Sequence, residues 1–200
     1  MNTTQRPRTD DARTAVPVTT ETAPPHRVGT GADKALAVLR IATGFVFLWA
    51  FLDKLFGLGF TTPGERAWIN GGSPTRGFLS NIDIGPFAPA FNTIAGAWWA
   101  DLLFMVGLGA IGVAVMLGAG LRLSAIAGTI MMGLMYLAEL PFYQLTNAGE
   151  PTGSTNPLVD YHLVYALALI VVALTLAGNT WGIGKAWGRL SFVRRNPWLR

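Results

Sequence analysis

Six side chains in this sequence have the chemistry to move protons or attract an anion: Lys54, Asp101, Tyr136, Glu139, Asp160 and His162. An imidazole passes protons near working pH, and a carboxyl can do so where its surroundings keep it protonated. An ammonium group draws in an anion. Cysteine is absent, which removes disulfides, thiolate nucleophiles, CxxC redox centres and cysteine-ligated metals from this chain. Redox chemistry would therefore run through a bound organic cofactor or a partner. His26 and His162 are the two histidines, too few for a histidine-rich metal centre, so no metal is expected.

The elements that must position these groups are apolar. Of the 200 residues, 51% are hydrophobic and 13% charged, and the mean hydropathy is +0.40. Soluble domains average about 25% charged, so the composition is that of a membrane protein. Four apolar stretches follow a polar start: 34–60, 97–118, 122–140 and 157–178. Each is near the roughly 20 residues a helix needs to cross a bilayer. Asn156-Pro157 reads as a cap and first residue for the fourth helix, and Pro141 stops or kinks the third. The expected fold is all-α: an integral membrane four-helix bundle with a long outer loop, 61–96, between helices 1 and 2. That loop is either a lid on the outer surface or a structured connector. Small residues at Ala110, Ala114, Gly118, Ser124 and Gly128 predict close helix packing.

Residues 1–33, rich in Thr, Pro and charge, predict a disordered cytoplasmic tail with no cleaved signal peptide. Residues 34–180 form the transmembrane domain. The last segment, 181–200, carries three tryptophans among five cations and reads as an interfacial anchor on anionic lipid. Lipid is the nearer polyanion for these cations, so no nucleic-acid partner is expected. The tail with the base of helix 1, the 119–123 turn and the C-terminal segment hold 12 of the 15 Lys and Arg residues. The positive-inside rule then places both termini in the cytoplasm, in a multi-pass protein of the inner (plasma) membrane.

With the spans folded antiparallel, every helix offers an ionisable group at one depth near the outer end. Lys54 and Glu139 end helices 1 and 3; Asp101, Asp160 and His162 begin helices 2 and 4. Asp101 and Asp160 lie in first turns, where helix capping accounts for a carboxylate equally well. Glu139 lies at a helix C-terminus, which disfavours an anion, so it needs a cation or a proton; Lys54 is the expected partner. Arg40, about 21 Å of helix below Lys54, is expected to snorkel to the headgroups. Tyr136, Tyr143, Tyr161 and Tyr165 share the outer layer, as an aromatic belt or as contacts to an aromatic ligand.

Arg40-x3-Gly44-x2-Phe47-x6-Lys54-Leu55-Phe56-Gly57, the glycine turn ending at Arg122, and Asp160-Tyr161-His162-Leu163 together resemble the DoxX/DoxD family over about 34–190. Ser73-Pro74-Thr75-Arg76-Gly77-Phe78-Leu79 and Gly85-Pro86-Phe87 look more like its DoxD branch, the membrane subunit of a thiosulfate:quinone oxidoreductase. The resemblance implies a quinone cofactor, a small sulfur substrate and a second oxidoreductase subunit. Glu139 and His162 are then the expected catalytic pair. Lys54, Asp101, Asp160 and Tyr136 are the expected contacts to substrate or cofactor. The alternative is a non-catalytic membrane scaffold whose polar layer locks helix register.

Overall fold

The computed structural model describes Met1 and residues 30–199. Most of the expected 1–33 tail lies outside the described residues. Its last four positions, 30–33, already form the first turn of a helix. The helices are α1 (Thr30–Phe56), α2 (Arg76–Leu79), α3 (Ala88–Ile94), α4 (Trp98–Leu117), α5 (Leu121–Glu139), α6 (Tyr161–Leu174), α7 (Gly184–Trp187) and α8 (Ser191–Arg195). Short 3-10 turns lie between them, and the described residues contain no β-strand.

Three helices, α1, α4 and α5, are long and apolar enough to cross a membrane. The fourth apolar helix is shorter than its sequence suggests. α6 has 14 residues, about 21 Å of helix, where 157–178 was expected. Asn156 makes a turn instead of a cap, its Oδ1 accepting from the N–H groups of Leu158 and Val159 at 2.9 and 3.0 Å. The true N-cap is Asp160, whose Oδ1 accepts from Leu163 N–H at 3.0 Å. At the other end Leu176 turns left-handed, with φ 51°, and the chain continues as a 3-10 turn.

α1 packs chiefly on α4 and α5 chiefly on α6, with α4 beside α5 and α1 beside α6. Glycine lets the first pair meet backbone to backbone. A Cβ on Gly44 would lie 2.7 Å from Met116 N, and one on Gly112 would lie 2.5 Å from Leu48 N. Without water to drive association in lipid, such close contact is what binds helices together. Gly128 of α5 receives a methyl of Leu169 in the same way. The centre is filled by Phe47, Leu108, Ile111, Val115, Met132 and Leu169.

Arg40 does not snorkel. Its side chain is fully buried, and it donates from Nη1 to the carbonyls of Val115 (2.7 Å) and Met116, and from Nη2 to that of Trp181 (2.9 Å). The last carbonyls of a helix have no intrahelical donor and form the negative end of its dipole. A guanidinium satisfies both needs at the end of α4, and the bare backbones of Gly118 and Gly182 leave room for it. Gly118 itself is left-handed, φ 77°, and closes α4 before the turn into α5.

Candidate functional site

At the opposite end of the helices from Arg40 lies a cavity of about 940 Å³, within the size range of small-molecule sites. Its walls are mainly apolar, and its polar groups come in two sets. Lys54, Thr61, Arg66 and Ser73 come from the end of α1 and the loop that follows. Glu139, Tyr161 and His162 come from α5 and α6.

The loop is positioned by two buried carboxylates. Asp53, on the last turn of α1, accepts from the N–H groups of Phe60 and Thr61 at 3.1 and 3.0 Å and from the Thr61 hydroxyl at 2.6 Å. This folds the chain back over the end of α1 and brings Thr61 Oγ1 within 3.3 Å of Lys54 Nζ. Asp101, in the first turn of α4, gathers three donors on Oδ1: Ser73 Oγ at 3.0 Å, Thr75 N at 2.8 Å and Thr75 Oγ1 at 2.6 Å. Thr75 Oγ1 in turn accepts from Gly96 N–H at 3.1 Å. The loop between α1 and α4 is therefore pinned at both ends, and its residues Pro63, Pro74, Phe78 and Phe91 roof the cavity.

In the second set His162 is 1% exposed, with its Nδ1 2.6 Å from Asp160 Oδ2 and 3.9 Å from Glu139 Oε2. An ionised carboxylate only accepts, so Asp160 assigns the proton to Nδ1. Nε2, on the other side of the ring, is buried and has no partner. Glu139 Oε2 accepts from the Tyr161 hydroxyl at 2.9 Å, and the Tyr161 and His162 rings lie against each other with centroids 4.0 Å apart. Tyr161–Glu139 and His162–Asp160 thus form two hydrogen-bonded pairs side by side, with 3.9 Å between His162 Nδ1 and Glu139 Oε2.

No protein-family model, curated protein or solved structure matches the chain.

Of the six residues singled out by sequence, Lys54, Glu139 and His162 line the cavity. The other three support it from behind. Asp101 holds the loop, Asp160 caps α6 and orients His162, and Tyr136 donates to the Leu158 carbonyl at 2.9 Å, fixing the approach to α6. The expected Lys54–Glu139 ion pair does not form. Among the described residues no Lys or Arg lies within 4.0 Å of an acid. The Tyr161 hydroxyl serves Glu139 instead, and Lys54 turns to Thr61.

Thr61 and Arg66 were not singled out by sequence, and Ser73 only as the first residue of the Ser73–Leu79 segment. A usable signal was Asp53, a carboxylate in the last turn of a helix, which needs donors from the chain that follows. Oxygens of Glu139 and Asp160 and a ring nitrogen of His162 also lie within 4.8 Å of one another. A cation there would have to displace the His162–Asp160 hydrogen bond.

Proposed function

We propose that the chain is a four-helix membrane protein with both termini in the cytoplasm, and that its outer cavity binds a quinone. On this reading it is the membrane subunit of a quinone-linked oxidoreductase acting on a small sulfur compound such as thiosulfate, alongside a second subunit. α6 crosses the apolar layer with the help of its non-helical flanks, and the Arg40 end faces the cytoplasm. The observation that carries the reading is one apolar cavity bordered by two cations and by the adjoining Tyr161–Glu139 and His162–Asp160 pairs. Reduction of a quinone takes two electrons and two protons. The Glu139–His162 group can supply hydrogen bonds and protons to the carbonyl oxygens, while Lys54 and Arg66 attract the sulfur anion that gives up the electrons. The resemblance of the Asp160-Tyr161-His162-Leu163 and Lys54-Leu55-Phe56-Gly57 segments to the DoxX/DoxD family points the same way.

A scaffold reading has one observation in its favour: Asp53 and Asp101 hold the loop, as register locks would. The two readings separate in an assay of thiosulfate-dependent quinone reduction by membranes containing the protein, wild type against His162→Gln. Glutamine keeps the size and much of the hydrogen bonding but carries no proton. Activity in the wild type that falls in the mutant, with a changed pH profile, supports the enzyme. Activity in neither supports the scaffold.

A further inference from the structure

α4 and α5 leave the Gly118–Gly120 turn side by side and meet at Ile111 and Gly128, and farther from the turn their facing stripes border the cavity. Ala100, Phe104 and Gly107 of α4, and Met131, Met135 and Ala138 of α5, all line the cavity. Their three- and four-residue steps put each set on one helix face. On α4, packing to α1 uses another face, where Gly109 and Gly112 meet Phe51 and Leu48; on α5 the same stripe starts at Gly128, which meets Leu169 of α6 and Ile111 of α4. The cavity therefore occupies the seam between α4 and α5.

The outer edge of that seam is open. Leu103 from α4 and Ile130 and Leu134 from α5 line the cavity while remaining 65%, 60% and 52% exposed. Side chains that border a cavity and also face outward are its lips. Beyond the approach of Ile111 to Gly128, the Met131 methyl reaches across the seam to Gly107, and it is a flexible, apolar end. On the α1–α6 side the way is narrowed by Tyr165, edge-on to Phe47 with centroids 6.5 Å apart. From above, the cavity is covered by the loop that Asp53 and Asp101 pin down. Its polar rim is there, at Lys54, Thr61, Arg66 and Ser73.

We infer that the cavity is loaded sideways from the bilayer, through the seam between α4 and α5, by an amphiphile with a ring headgroup and a long apolar tail. The headgroup lies toward Glu139, Tyr161 and Lys54. The tail passes Met131 and Met135 and leaves between Leu103 and the Ile130–Leu134 lip. Three lips of leucine and isoleucine suit hydrocarbon and offer nothing to a hydrated ion, so the water-soluble substrate is left with the polar rim. The identity of the headgroup rests on the quinone reading above; the sideways route rests on the seam alone.

The test uses the full chain in lipid nanodiscs and two photoreactive probes. One is a phospholipid with a mid-chain diazirine, and the other is a benzoquinone whose decyl tail carries the same group. Labelled residues are mapped by peptide mass spectrometry. Both probes are expected to label Met131 and Met135 inside the seam, as well as the outward-facing Val113 and Ile126. Leu103→Trp/Ile130→Trp, which thickens the lips, should abolish the inner labelling and leave the outer labelling unchanged. Gly107→Leu, which meets only the movable Met131 methyl, should do the same from within and serves if the first variant misfolds. Outer labels without inner ones, or inner labels indifferent to both variants, would overturn sideways loading. Inner labelling by the phospholipid that excess decyl-benzoquinone fails to compete away leaves the seam standing and removes the quinone.

Discussion

Replacing Asp101 tests whether the roof of the cavity is held as described. Its Oδ1 takes three hydrogen bonds from Ser73 and Thr75, and hydrogen bonds to a charged group contribute about 1.5–3 kcal/mol each. In Asp101→Ala the freed donors regain water once the loop lifts, so the loss is below the sum; about 3–4 kcal/mol is expected for opening the loop. Asp101→Asn keeps an oxygen in place but loses the charge, which roughly halves such bonds, so about 1.5 kcal/mol is expected. At about 1.4 kcal/mol per factor of ten, the open population rises about tenfold for Asn and more than a hundredfold for Ala. Arg76 follows Thr75 directly and is exposed, so trypsin cleavage after Arg76 reports this opening. Cleavage slow enough to follow the open population should rise in that order, wild type, Asn, Ala. Equal rates for all three, or for Asn and Ala, would show that Asp101 does not hold the loop.

Arg40→Met removes the guanidinium bonds to the Val115, Met116 and Trp181 carbonyls and should cost about 3–5 kcal/mol, seen as a lower melting temperature in detergent. Arg40→Lys should recover little of it, because an ammonium cannot reproduce the guanidinium fork. For orientation, single cysteines at Ser80 and Thr155 should react in intact cells with a membrane-impermeant thiol reagent, and one at Ser191 should not; the reverse pattern would refute cytoplasmic termini. Tyr161→Phe removes the donor to Glu139 and should lower quinone reduction while leaving the melting temperature within a few degrees, because Tyr161 is exposed. An unchanged rate would show that the Tyr161–Glu139 pair does not deliver protons.

The long helices were legible because apolar length is a local property. The turn read at 119–122 was legible too, but it lies at 118–120, where left-handed Gly118 and Gly120 flank a single residue. The start of α6 was misplaced because Asn156-Pro157 and Asp160 carry the same capping signal. Only the side-chain bonds, to Leu158 in one case and Leu163 in the other, separate a turn from a cap. Arg40 was read at the right depth and the wrong direction. What turns it inward is a set of carbonyls 75 and more residues away, which no local pattern announces. The layer of ionisable residues was also visible, but its division of labour was not. Asp53 and Asp101 bind the loop, Asp160 binds His162 and the helix start, and a tyrosine, in place of the expected lysine, meets Glu139.

The most direct test of a quinone in the cavity is to purify the protein from membranes in which it is made and extract what it carries. A quinone is expected to co-purify at about one per chain, the stoichiometry of a single cavity of this size, and much less of it with the seam-narrowing Leu103→Trp/Ile130→Trp pair. Phospholipid alone, or quinone in the proportion found in the bulk membrane and unaffected by those substitutions, would contradict it.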